Sequence, residues 1–255
     1  LQFTIGGQVI RVSLRDFAEL SEAVGQRLAA REGFALATLN LDHLVKMRSD
    51  AAFAEAYARQ DMVVADGNPI VWLSRLAGEP VELLPGSDLI RPLSRMAAGA
   101  GVPVAFVGSD AETLRAAGDE LEAAFPGLQV VERCAPPMGF DPDGAGAAEI
   151  LARLKAKGVG LCFLALGAPK QERLAARGRA LAPGVGFVSI GAGLDFISGR
   201  QKRAPVWVRR LAMEWVWRAL GDLRRLGPRY AKCIAILPRL VVGALRRRMS
   251  GGAEH

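Results

Sequence analysis

Histidine is scarce in this chain. His43 is the sole internal one and His255 is the last residue, so a Ser-His-Asp triad has little material to work with. The three cysteines, Cys134, Cys162 and Cys233, are far apart and odd in number. They do not make a disulfide framework and read as reduced, mostly buried thiols of a cytosolic protein. No Cys/His cluster has the spacing of a zinc site. The pattern GxxxxGK[ST] is missing, which argues against a P-loop kinase. No stretch approaches the ~20 consecutive apolar residues that a membrane-spanning helix requires. The opening LQFTIGGQVIRVSLRDF lacks the continuous apolar run of a signal peptide.

What is present is enough for one large core. Hydrophobic residues make up 51% of 255, which suits a single sizeable α/β domain better than two complete ones. Charge is distributed unevenly. From Arg200 onward there are 14 Lys+Arg and 3 Asp+Glu, a net of +11, whereas residues 1–199 carry 19 and 23, a net of −4. A basic tail on an acidic body suggests contact with a polyanion, either nucleic acid or an anionic membrane surface.

The segment QFTIGG-QVIRVS predicts a hairpin around Gly6-Gly7. Strand-like and helix-like segments then alternate. Strands are expected at Phe34–Asn40, Asp61–Asp66, Val102–Gly108, Leu128–Cys134, Gly160–Gly167 and Gly186–Gly191. Runs such as LCFLAL and VAFVG are nearly continuous in apolar residues, as strands covered on both faces are. The intervening Asp110–Phe125 and Ala145–Lys157 have helical spacing. The expectation is α/β: a mostly parallel, Rossmann-like, doubly wound sheet formed by residues 1–199. From Pro205 the strand signal ends. WVRRLAMEWVWRALGDLRRL predicts an amphipathic helix closing near Gly227-Pro228, and RYAKCIAILPRLVVGALRRRM a second one broken at Pro238. Residues 200–249 therefore read as a basic helical appendage, with 250–255 a disordered tail.

Ligands of parallel sheets bind outside the carboxyl ends of the strands. The residues following the strands here are polar or glycine: Thr38 and Asn40; Asp66 and Gly67; Gly108 and Ser109; Gly167, Lys170 and Gln171; Gly191 and Asp195. That composition suits a cleft where a phosphorylated ligand meets backbone N–H groups. Asp66 ends an apolar strand, where partial desolvation would favour a general base, although a turn or N-cap aspartate fits equally. Thr38 and Asn40 suit either ligand contact or helix capping. Lys170 and Gln171 open a helix after Pro169, and a lysine at the positive end of a helix favours a nearby anion over a merely exposed side chain. Asp195 suits a capping role better than a ligand contact. GAGLDF has only Gly-x-Gly and is weak evidence for a dinucleotide. Asp141-Pro142-Asp143 imitates the Asp-x-Asp of metal-dependent enzymes, but its Pro- and Gly-rich setting predicts turn duty. No metal site and no cofactor are expected.

Taken together, these segments resemble the WecG/TagA/CpsF family, glycosyltransferase family 26. The matching stretches are TLN at Thr38–Asn40, ADG at Ala65–Gly67, PGSDL at Pro85–Leu89 (which includes Asp88), and FVGS at Phe106–Ser109. LGAPKQE at Leu166–Glu172, GAGLDFISGRQKRAPVWVRRLAMEWVWR at Gly191–Arg218 and PRY at Pro228–Tyr230 follow in order. The resemblance implies an inverting enzyme that uses a UDP-sugar, carrying N-acetylmannosamine or a hexose such as glucose. It implies an acceptor linked to undecaprenyl diphosphate, at the inner, cytoplasmic face of the cell membrane, in cell-surface or extracellular polysaccharide synthesis. It also implies Asp66 as base, Thr38 and Gln171 lining the site, and an appendage that closes over it and brings arginines to the diphosphate. The family commonly carries an arginine in a stretch like E-R-x-x-G. Here that stretch is Glu82-Leu83-Leu84-Pro85-Gly86, leaving Arg91, Arg95 or a tail arginine as substitutes.

With no persuasive metal site, charge for a leaving diphosphate would come from Lys170, helix N-termini and tail arginines such as Arg203, Arg209 and Arg210. Three other readings compete. An NAD-dependent oxidoreductase lacks the G-x-G-x-x-G after an early strand. A nucleic-acid-binding module would need exposed aromatics, whereas Trp207, Trp215 and Trp217 share their segment with Leu211, Val216 and Leu220, which points to packing. A relative that only binds the lipid-linked sugar is the third. The expected partners are the donor, the acceptor and an anionic membrane surface, not nucleic acid; a homo-oligomer is compatible with the sequence.

Overall fold

The computed structural model describes residues 1–201 and 223–251. It opens with a hairpin of β1 (Gln2–Ile5) and β2 (Gln8–Arg11), paired antiparallel with Ile5 opposite Gln8. Gly6 and Gly7 both have positive φ, 56° and 80°, as a two-residue turn between twisted strands requires.

The main sheet contains β3 (Phe34–Leu39), β4 (Met62–Ala65), β5 (Val104–Gly108), β6 (Val130–Cys134), β7 (Leu161–Ala165) and β8 (Gly186–Ser189). Its order is β4-β3-β8-β7-β5-β6, and every pair is parallel. The six expected strands all form, each shorter than expected at one or both ends. Alternation along the strands separates two cores. Phe34, Leu36, Val104, Phe106, Phe163 and Val188 face α1 (Phe17–Ala29), α5 (Gly86–Gly99) and α6 (Ala111–Ala124). Ala35, Ala105, Val107, Cys162, Leu164 and Phe187 face α7 (Ala145–Ala156) and α8 (Lys170–Leu181). On that second side, nearer β4, Ala37, Leu39 and Val63 pack with α2 (Leu41–Met47), α3 (Ala51–Ala58) and α4 (Asn68–Leu76). Full burial of side chains such as Phe106 or Phe163 contributes roughly 1.5–3 kcal/mol each. This is why unbroken apolar runs become central strands.

Helix starts are capped by side chains. Asp16, Asn40, Asp50 and Asp110 accept from the backbone N–H three residues on, at 2.9–3.1 Å, each cap contributing about 1 kcal/mol. These caps help to end the strand-to-helix turns where the site lies. The connection from β5 through α6 leads outward to β6 on one face, while that from β7 through α8 leads back to β8 on the other. The adjacent strands β5 and β7 thus send their chains in opposite directions, opening a crevice at their carboxyl ends. A short α9 (Gly193–Ile197) follows β8.

The tail departs from expectation. Instead of a helix ending near Gly227-Pro228 and a second one broken at Pro238, α10 runs unbroken from Leu223 to Gly251 with both prolines inside it. Each proline removes one intrahelical donor. The loss is offset by packing: Cys233, Ile236 and Ala244 are buried in the same core as α2 and α4. Ion pairs from Arg229 to Asp42 and from Arg247 to Glu79 add to the docking. Residues 202–222, which include Trp207, Trp215 and Trp217 and the arginines Arg203, Arg209 and Arg210, lie outside the described residues, as do 252–255.

Candidate active site

The carboxyl edge of the sheet gathers most of the residues singled out from sequence. On the β3–β4 side, the Asp66 backbone N–H donates to the Leu39 carbonyl at 2.7 Å, continuing the β3–β4 ladder one residue past the strand. The Asp66 side chain is half-buried, and Asn40 Nδ2 is 3.5 Å from its Oδ2, at the limit of a hydrogen bond. Asn40 also caps α2 through its Oδ1, so capping and proximity to Asp66 are combined in one side chain. Gly67, at φ 112°, turns the chain into α4, whose N-terminus begins at Asn68-Pro69. Thr38 is buried at the end of β3; a Cβ placed on Gly86 would lie 3.4 Å from its methyl group and only 3.0 Å from Ile190 Cα. The N-terminus of α5 is thereby brought against Thr38 and the end of β8, adding its positive dipole end to this edge.

The turn after β7 lies next to this. Gly167 has φ 70°, and Lys170 begins α8 half-buried. Gln171 and Glu172 are 2% and 0% exposed. Burial pushes the Glu172 carboxyl up to about 7, against smaller opposing effects of the Gln171 hydrogen bond and Lys46. The Lys46 ammonium donates to the Ala168 carbonyl at 3.1 Å and lies 2.9 Å from Asp42 Oδ2, off hydrogen-bond direction, so that second contact is ionic. Asp42 Oδ1 takes Arg229 of α10 at 2.8 Å. His43 and Tyr57 fill the space beneath, with Nδ1 and the phenol oxygen 3.4 Å apart. Burial holds His43 down at about 3, hence neutral. It raises the Tyr57 phenol well above its ordinary range, with Glu172 and Asp66 adding to that.

On the β5 side, Gly108 has φ 118°, and a Cβ there would lie 2.3 Å from the Ala165 carbonyl oxygen. Only glycine allows the chain leaving β5 to approach β7 so closely. Ser109 follows in the left-handed region at φ 54° and donates its hydroxyl to Asp195 at 3.1 Å. Asp195 also accepts from Gln201 at 3.0 Å, so both its oxygens bond within the protein; it does not cap α9, which starts without a side-chain cap. Arg200 pairs with Asp110 and reaches Thr113 Oγ1 at 3.3 Å, a cation at this edge that sequence reading passed over.

Asp88 is exposed in the first turn of α5, whose start meets this edge beside Thr38. Arg91 pairs with Glu120, and Arg95 stacks on Phe125 at 5.4 Å, near the far end of α6. Both guanidiniums thus make their contacts on the α6 side. Asp141 Oδ1 accepts from the Asp143 backbone at 3.0 Å and Asp143 pairs with Arg173, a turn as predicted. Among the described residues, no three His, Cys, Asp or Glu side chains gather as a metal site would need. The buried set of Asp42, His43, Tyr57 and Glu172 was not legible as a set. Only the i,i+4 spacing of Asp42 and Lys46 hinted at a pair.

The edge thus offers the half-buried Asp66 carboxylate beside several helix N-termini, with a basic helix docked next to it. Comparison with known proteins gives this arrangement a chemical class. The sequence profile described as "Glycosyl transferase WecG/TagA/CpsF family" matches residues 7–253. A protein of Bacillus spizizenii named N-acetylglucosaminyldiphosphoundecaprenol N-acetyl-beta-D-mannosaminyltransferase is 25% identical over 229 residues, covering 89% of this chain and 85% of that protein. The chain belongs to the WecG/TagA/CpsF family and is a glycosyltransferase.

Proposed function

We propose that the chain transfers a sugar, N-acetylmannosamine or a hexose such as glucose, from a UDP-sugar to a polyprenyl-diphosphate-linked acceptor, with inversion at the anomeric carbon. The observation that carries this reading is Asp66: a half-buried carboxylate at the carboxyl end of β4, flanked by the Asn40 amide and the start of α4. The name of the Bacillus relative, which specifies a diphosphoundecaprenol acceptor, supports the acceptor class. In the proposed step the acceptor hydroxyl oxygen bonds to the anomeric carbon as the bond from that carbon to the diphosphate oxygen breaks. The bonding pair leaves with UDP, and the hydroxyl proton passes to Asp66. The departing charge meets Lys170 and the N-terminal N–H groups of α4, α5 and α8.

Outward from the core, α10 exposes Ile234, Val242, Leu245 and Met249 among Lys232, Arg239, Arg246 and Arg248. No helix among the described residues is long and apolar enough to cross a membrane. A helix with one face on the protein and a second face both apolar and cationic suits the surface of an anionic leaflet, and the inner face of the cell membrane is the proposed location.

The test is UDP release from a panel of UDP-sugars with a polyprenyl-diphosphate-linked acceptor analogue, repeated with Asp66→Asn. The variant should bind UDP nearly as the parent does and lose about 10²–10⁴-fold in turnover, the usual contribution of a general base. More than about a tenth of parental turnover in purified Asp66→Asn would remove the base assignment. Acceptor binding without UDP release from any donor would instead indicate a relative that only holds the lipid-linked sugar.

A further inference from the structure

The sequence LGAPKQE suggests Gln171 as a direct ligand contact, yet its amide is already engaged within the protein. Gly191 N–H donates to Gln171 Oε1 at 3.0 Å, and Gln171 Nε2 donates to Glu172 Oε1 at 2.8 Å. The direction of this chain is chemically determined. A backbone N–H can only donate, so the oxygen of the amide must face Gly191 and its NH₂ must face Glu172. Glu172 Oε1 accepts whether the carboxyl is ionised or neutral, and Oε2 has no hydrogen-bond partner among the described residues.

Gln171 is the side chain that holds Gly191, whose neighbours are held by backbone bonds from Ile190 N–H to the Leu164 carbonyl and from Gly193 N–H to the Ile190 carbonyl. Gly191 has φ 55°, and a Cβ on it would meet nothing within 4 Å, so its outer side is open. The turn it begins leads directly into α9, where Asp195 receives the Ser109 hydroxyl from the end of β5. A shift at Gly191 would therefore be felt on both sides of the crevice between β5 and β7.

We infer that Glu172 and Gln171 are positioning residues: Glu172 fixes the orientation of the Gln171 amide, and that amide locks the Gly191 turn that shapes the donor side of the site. Gln171 then acts on the donor through Gly191 and not by touching it. A glutamine at 172 presents the same carbonyl to Gln171 Nε2, whereas a leucine leaves that NH₂ buried without an acceptor. The kinetic consequence rests on the proposed sugar transfer; the structural one does not.

The experiment compares the parent with Glu172→Leu, Glu172→Gln and Gln171→Met in the full chain. It reads amide hydrogen exchange at Gly191, and KM for the UDP-sugar separately from kcat. Glu172→Leu and Gln171→Met should each speed Gly191 exchange and raise donor KM by about tenfold, the size of one buried hydrogen bond. Their kcat should change far less, and Glu172→Gln should restore both readouts to within about threefold of the parent. Unchanged Gly191 exchange in folded Glu172→Leu overturns the inference. So does a Glu172→Gln as impaired as the leucine variant, which would assign the role to the charged carboxylate itself. If Glu172→Leu does not fold, Gln171→Met decides: a raised KM with Gly191 exchange unchanged means direct ligand contact and overturns the relay. Parental protein that releases no UDP from any donor would defeat the transfer reading while leaving the exchange comparison valid.

Discussion

Two buried titratable residues under the site respond to pH in opposite senses. Glu172 is raised from 4.5 to about 7 by burial. Its folded form holds a proton that the unfolded chain has released, so its contribution to stability falls as pH rises from about 4.5 to about 7. His43 is lowered from 6.5 to about 3, again by burial. There the unfolded chain binds the extra proton, so the contribution falls as pH drops from about 6.5 to about 3. Between roughly 4.5 and 6.5 the two slopes oppose one another and the parental protein shows little net change from this pair. Glu172→Gln removes one side of the balance. Its Tm should gain on that of the parent steadily from about pH 4.5 to about pH 7 and level off above. A Tm difference that stays flat across that window in paired thermal melts would mean that Glu172 is ionised throughout. None of this was legible in the sequence, where KQER reads as a helix start with Lys170 and Gln171 turned to an anion and Glu172 draws no separate reading. The burial of Glu172 comes from α3 packing on α8, a tertiary contact that a local pattern does not encode.

At the scale of elements, legibility followed burial. LCFLAL and VAFVG became central strands because a run with no polar face has nowhere to go except between two helical layers. Asp66, Gly108 and Gly191 were legible as strand-end residues because the apolar runs before them fix where each strand stops, and in such a sheet ligands bind at those ends. The continuity of α10 was missed for the converse reason: proline is a strong local signal, whereas the compensating surface on α2 and α4 is contributed by distant sequence. That docking centres on Asp42, which takes Arg229 on one oxygen and Lys46 on the other, while Lys46 also holds the Ala168 carbonyl in the turn after β7. Asp42→Ala should strand both cations and cost about 1–3 kcal/mol in urea denaturation, below the fully buried limit because Arg229 and Lys46 retain water. Arg229→Ala should cost at most about 1 kcal/mol. If the arginine variant proves the more costly, Asp42 is not the hub of the docking.

For the whole molecule, charge asymmetry and packing fit the proposed orientation at an anionic leaflet. The acidic body carries the candidate site at the carboxyl edge of its sheet, and the basic helix α10 docks beside that edge through Asp42 on α2. Because Cys233, Ile236 and Ala244 contribute to the core, deleting α10 would expose apolar surface on α2 and α4 and confuse lost folding with lost membrane contact. Changing only its outward face separates the two. Ile234→Ser, Val242→Ser, Leu245→Ser and Met249→Ser together remove exposed apolar area while leaving every buried residue of α10 in place. Each lost side chain forgoes a fraction of the roughly 1.5–3 kcal/mol that full burial of such a group provides. The fourfold variant should therefore keep the parental Tm within about 2 °C, as surface substitutions usually do. It should pellet far less with anionic vesicles and turn over a long-chain lipid-linked acceptor more slowly, while a water-soluble acceptor analogue is used at the parental rate. Reversing Arg239, Arg246 and Arg248 to glutamate should weaken binding to anionic vesicles further and leave neutral vesicles indifferent, since each cation near such a surface is worth about 1 kcal/mol. Vesicle binding that survives both sets of changes would remove α10 from the membrane surface.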